Sequence, residues 1–165
     1  MAICTRDLIE SIIRPTILGL NMQGDSAERL IAGTIAQESS MGTYLRQNAG
    51  IAKGICQMEP ATHDDTYTNY LKYHQKIREK LYIVSNLSLP SGFMVPPSDL
   101  LIFNLRYSVA MCRIHYYRRA GLLPEPDDIP GMARCWKSYY NTPKGLGKES
   151  EFIANYKKYV LPYYT

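Results

Sequence analysis

The run from Asp25 to Glu38, "DSAERLIAGTIAQE", decides how this chain is read. Asp25 with Glu28 three positions on has the form of a capping box, and Ala27, Leu30, Ile31, Thr34 and Ile35 repeat at helical spacing. The same face continues onto Glu38, so a carboxylate sits where apolar side chains should meet a core. Burial of that kind disfavours the charged form and lifts a glutamate above its usual pKa of roughly 4.3. Such a group is a proton donor near neutral pH. The plain alternative is a helix that ends near Glu38, with the side chain turned to solvent or towards Arg46.

Outward from that helix, Leu8, Ile9, Ile12 and Ile13 predict a short helix over Thr5 to Ile13 that Pro15 ends or kinks. Gly50, Gly54 and Pro60 predict a compact loop over Gln47 to Pro60. A helix from about Thr62 to Leu81 would bury Tyr67, Tyr70, Leu71, His74, Ile77 and Leu81. "NLSLPSGFMVPPSD" breaks that pattern and reads as a loop. Ser98 or Asp99 then caps a long helix to about Arg119, stopped by Gly121. After the connector "LLPEPDDIPG", Met132, Ala133, Trp136 and Tyr140 mark another helix, "NTPKGLGKES" a turn, and Phe152, Ile153, Tyr156 and Val160 the last helix. The expectation is one mainly α domain over residues 1–165, with at most a small strand element.

The totals narrow the function classes. A chain of 165 residues suits one sizeable core, and its apolar and charged fractions exclude a disordered polymer. With 19 basic residues scattered among 15 acidic ones, the net charge of +4 favours an anionic partner such as a wall polymer without calling for nucleic acid. The 14 tyrosines suit sugar or peptide contacts as well as wet-edged packing; Tyr67, Tyr70 and Tyr116 are assigned to the core, Tyr44, Tyr139 and Tyr140 to the flanks of a groove. Cys4, Cys56, Cys112 and Cys135 form no CxxC pair and read as free thiols, while an even count leaves two bridges open. His74 and His115 lack further ligands at matched spacing, so no metal or cofactor is expected. Arg6, Asp7, Glu10, Arg14 and Pro15 interrupt any signal-peptide core, and no apolar stretch approaches a membrane span. A soluble protein without an export signal of its own is expected.

Glu38-Ser39 at a helix end, "GICQMEPAT" from Gly54 to Thr62, and Tyr139-Tyr140-Asn141 follow one another in an order that resembles the soluble lytic transglycosylases of the lysozyme-like superfamily. The resemblance spans about Asp25 to Val160 and implies a goose-type, lysozyme-like helical domain. It implies Glu38 as the single catalytic acid, and Ser39, Gly54, Gln57, Tyr140, Asn141 and Tyr156 as substrate-binding positions. The implied reaction is cleavage of the β-1,4 bond between N-acetylmuramic acid and N-acetylglucosamine in peptidoglycan, closing a 1,6-anhydro ring. Ile55, Cys56, Met41 and Pro143 depart from the family pattern and touch the shape of the subsites more than the acid.

A hydrolase on the same scaffold would need a second carboxylate, for which Asp64, Asp65 and Glu59 are available. A non-catalytic glycan-binding or structural protein of a phage is the other alternative. "CRIHYYRRAG" carries Arg113, Arg118 and Arg119 and reads as a solvated helix face sooner than a nucleic-acid surface. The resemblance and the missing export signal together imply peptidoglycan strands as the partner. They also imply manufacture in the cytoplasm and delivery to the wall or periplasm by a phage particle, a holin or a secretion machine.

Overall fold

The computed structural model describes residues 2–141 and 145–165. Those residues form an all-α protein of nine helices, and the strand-like pairing among them is two isolated antiparallel bridges, Arg46 with Lys53 and Lys53 with Met58. Helix α1 is a continuous run of Thr5–Asp7, Leu8–Ile13 and Arg14–Gly19. It passes through Pro15 instead of ending there. The segment Leu8–Ile13 is wound as a π-turn, with the Arg14 N–H bonded to Ile9 O, and the wider turn accommodates the ring and missing N–H of the proline. Helix α2, Asp25–Ser39, covers the expected run, but no Asp25–Glu28 capping box forms: Gly24 is the N-cap with no side-chain cap bond, and the Glu28 carboxylate is taken by Arg14 and Tyr164.

The helix expected over Thr62 to Leu81 is three pieces: α3 (Pro60–Asn69), a 3-10 turn (Leu71–Tyr73) and α4 (Gln75–Val84). Thr66 and Thr68 bond back to the carbonyls of Thr62 and Asp64, and Tyr70 and His74 leave helical geometry with φ of −135° and −122°. His74 is exposed and stacked on Tyr70 at 3.9 Å, so it is not on a buried stripe. The long helix expected after Asp99 is likewise divided, into α5 (Leu100–Phe103) and α6 (Leu105–Tyr117). Asn104 makes the break: its Oδ1 accepts the Tyr107 N–H at 2.9 Å as an N-cap, and its Nδ2 donates to Ser85 O at 2.8 Å. Helix α7, Ile129–Trp136, begins inside the expected connector because Asp128 caps it through the Gly131 N–H at 2.8 Å. It continues as a π-turn, Lys137–Asn141, followed by α8 (Glu149–Tyr159) and α9 (Leu161–Tyr164).

Every residue from Tyr107 to Tyr116 in α6 is buried. One side of this helix, with Val109, Cys112 and Tyr116, joins a core built from α1, α2, α7 and α8. Its other side, with Tyr107, Ala110, Met111 and Ile114, joins a second core with Tyr67, Leu71, Leu81 and Tyr82. Arg113, read from sequence as solvated, is buried too: its Nε donates to Met22 O at 3.0 Å, and its guanidinium lies over the Tyr117 ring. All four cysteines are free thiols, and only Cys4 is exposed. No helix among the described residues is long and apolar enough to cross a membrane.

Helices α2 and α8 meet closely because Gly33 has no side chain; a Cβ there would stand 2.6 Å from Phe152 Cζ. The C-terminal end is tied to α2 by the Tyr164 hydroxyl, which donates to Glu28 Oε1 at 2.8 Å, while Arg29 lies over the Tyr164 ring. Gly33→Ala is expected to force Phe152 and Tyr156 away from α2 and to cost about 1–3 kcal/mol, measured by urea denaturation.

Candidate active site

Glu38 occupies the last turn of α2, and the chain reverses directly after it. Ser40, Met41 and Gly42 all take positive φ, at 48°, 57° and 77°, so the helix stops sharply and the Glu38 side chain is left at the edge of the core. Ser39 holds that reversal: its hydroxyl donates to Ile35 O at 3.1 Å and accepts the Gly42 N–H at 2.9 Å. It is fully buried and does not line the cleft. Met41, where the family pattern has an aromatic, is fully buried beneath the turn.

The loop after it approaches from α6. Gly54, at φ +79°, lies so close to the Leu101 carbonyl and Ser108 that any Cβ would collide with them. It therefore acts as a backbone position and not as a cleft wall. Gln57, also at positive φ, donates its side-chain Nε2 to Gly54 O at 2.7 Å and lines the cleft. From the other side the π-turn after α7 contributes Tyr140, whose hydroxyl donates to Cys56 O at 2.8 Å and whose ring stacks on Tyr116.

Glu38, Gln57, Tyr140 and Asn141 thus meet around one cavity of about 390 Å³, together with Glu59 and His115. A mouth lined by Tyr44 and Arg46 shares Glu38 and Gln57 with it. Tyr156 is not part of this group. It is fully buried, stacked on Phe152, and its hydroxyl has no hydrogen-bond partner within bonding distance among the described residues. Pro143 lies outside the described residues. Among the described residues, no three His, Cys, Asp or Glu side chains cluster closely enough to hold a metal.

The partner of Glu38 is Trp136, not Arg46. The indole Nε1–H donates to Glu38 Oε1 at 2.8 Å, leaving the second carboxyl oxygen without a protein donor among the described residues. Sequence reasoning had placed Trp136 only as a helix marker. The available signal was that a buried indole N–H seeks an acceptor, and an inward carboxylate is a strong one. Burial pushes the Glu38 carboxyl up to about 7, and the Trp136 bond opposes part of that rise. Burial likewise holds the Tyr140 hydroxyl well above its ordinary range, so that neighbour stays neutral.

His115 is pushed down to about 4, chiefly by burial, and is neutral beside the cleft. Its Nδ1 accepts from Arg118 at 3.1 Å, so Nε2 carries the proton and donates to Tyr139 O at 2.8 Å. The three carboxylates weighed as partners for Glu38 separate. Asp64 is bonded to His63, and Asp65 to Arg118 and Asn69; neither lines the cavity. Glu59 is exposed and does line it.

No protein-family model, curated protein or solved structure matches this chain.

Two consequences are measurable without a substrate. Trp136→Phe removes the one donor that favours the charged carboxylate, so the Glu38 midpoint should move upward by roughly one pH unit in a carbon-13 NMR titration. Glu38 also binds its proton more tightly folded, at about 7, than at its ordinary 4.5. Its contribution to stability is therefore fully present below about pH 4.5 and is lost as pH climbs to about 7. Glu38→Gln has no charge to desolvate and should gain on the wild type between pH 5 and 8, on the order of 2 kcal/mol by denaturant unfolding.

Proposed function

We propose that this protein is a lytic transglycosylase of the lysozyme-like fold that cuts the β-1,4 bond between N-acetylmuramic acid and N-acetylglucosamine in peptidoglycan. The observation that carries the reading is a carboxyl group with a pKa near 7, anchored through one oxygen by Trp136 and facing a cleft with Gln57, Tyr140 and Asn141. A group balanced between its two forms at neutral pH can serve first as acid and then as base. The protonated Glu38 gives its proton to the glycosidic oxygen as the bond to C1 breaks, releasing the 4-hydroxyl of N-acetylglucosamine. The C6 hydroxyl of the muramyl residue then closes on C1 and returns its proton to Glu38. Neither water nor a second carboxylate enters that cycle.

A muramidase is the second reading, and the exposed Glu59 at the cleft is what favours it, since it is available to activate a water. Delivery by a phage particle, a holin or a secretion machine is part of the same proposal.

Purified sacculi digested with the wild type should yield 1,6-anhydro-muropeptides by mass spectrometry, and Glu38→Gln should lower the rate on the order of a thousandfold. Reducing-end products abolished by Glu59→Gln would replace the lyase by the hydrolase. Absence of product from folded protein on several wall types would leave a glycan-binding role. Because the first step uses the protonated acid, kcat/KM should fall as pH rises through about 7.

A further inference from the structure

The Glu38 cleft has a side chamber of about 240 Å³ that shares its Thr62, His115 and Tyr140 walls. Asp65, Arg118 and Arg119 form the rest of its charged lining. Arg118 is fixed there: one terminal nitrogen donates to Asp65 Oδ2 at 2.6 Å and the other to His115 Nδ1 at 3.1 Å, while its Nε is buried without a partner among the described residues. Arg119 is exposed and has no carboxylate partner among the described residues. With His115 neutral, one carboxylate faces two guanidinium groups, and the chamber carries an excess positive charge. The helix supplies no row of such cations, since Arg113 is buried in the core, so a polyphosphate track is not what this surface offers.

We propose that this chamber is an anion subsite that receives a carboxylate carried on a side branch of the substrate, with Arg119 as the free cation and Arg118 as the positioned second one. The inference rests on the glycan-cleaving reading above. N-acetylglucosamine is neutral, and in a stem-bearing muramyl residue the lactyl carboxyl is consumed in the amide bond to the stem, so a cation beside the cleft has nothing to pair with on that glycan itself. The muramyl residue, however, bears a peptide stem through its lactyl group, and the stem carries carboxylates. A muramyl sugar seated against Glu38 would extend that branch through the Thr62 and Tyr140 opening towards Arg119. Guanidinium groups suit carboxylates because their N–H donors match the two oxygens.

The test uses the full chain with Glu38→Gln, which slows turnover about a thousandfold yet keeps an oxygen to accept from Trp136. Its affinity would be measured by calorimetry for three muramyl glycans of equal length: without stems and with the lactyl carboxyl capped as a simple amide, with stems bearing free carboxylates, and with the same stems amidated. The carboxylate form should bind roughly tenfold tighter than either of the others, an advantage that shrinks at high salt. Arg119→Glu added to the same protein should erase it. Equal affinity for all three glycans would overturn the subsite while leaving the glycan reading in place. Equal gains from free and amidated stems would also overturn it, since recognition would then be of peptide and not of charge. An advantage that survives Arg119→Glu would remove Arg119 from the assignment. Failure to bind any of the three would overturn the parent reading, and the subsite with it.

Discussion

The arrangement depends on a helix buried on every side. An α-helix in a domain of this size normally keeps one polar face in water, but α6 is enclosed from Tyr107 to Tyr116 and separates the two cores. Each polar group on it must then find a partner inside the protein or remain unpaired at a cost. Arg113 finds Met22 O, and His115 finds Tyr139 O and Arg118. The His115–Tyr139 bond reaches the π-turn that carries Tyr140 and Asn141 to the cleft. The Gly54 loop leans on Ser108, α3 packs beside Tyr107 through His63, and the π-turn with Tyr140 is held at His115 and Tyr116. These elements meet α6 along its length, from Tyr107 and Ser108 to His115 and Tyr116, so the geometry of the cleft follows from the packing of that helix.

A carboxylate at that junction is a local defect in the fold. Its ionised form loses hydration and regains only one indole hydrogen bond, which is why it titrates near 7. The same deficit leaves one carboxyl oxygen without a protein partner among the described residues, open to the cleft as an acceptor or donor. Stability given up at one side chain and a reactive proton gained at the same side chain are a single fact.

The sequence carried the α2 helix and the inward direction of Glu38 because both depend on local periodicity. It did not carry the breaks at Tyr70–His74 and Asn104. The apolar register runs straight across each break: at Tyr70–His74 the preceding threonines bond back to their own helix, and at Asn104 the Ser85 carbonyl, distant in sequence, takes the side-chain amide. Arg113, Arg118 and Arg119 looked alike as a charged run, yet one is buried in the core, one is pinned by Asp65 and one is exposed with no carboxylate partner among the described residues. Spacing along one helix does not report what packs above it. Tyr156 and Ser39 matched a family order and were assigned to substrate, but the close approach of α8 at Gly33 draws Tyr156 into the core, and the turn after Glu38 consumes the Ser39 hydroxyl.

The π-turn at Lys137–Asn141 explains why two adjacent residues, Tyr140 and Asn141, both reach the cleft that Trp136 braces. In an α-helix a residue four positions on lies above the starting side chain, and the next one has rotated well away. Widening to i→i+5 pairing lets the fourth and fifth residues straddle the face of Trp136 instead. Lys137 secures the wide turn, its ammonium donating to Asn141 Oδ1 and to Gly145 O, both at 2.7 Å. Tyr140 can then close against Cys56 O while Asn141 lines the cleft. The energetic cost of a poorer helical turn is local, whereas the gain is a second polar group beside Glu38 without another loop to order.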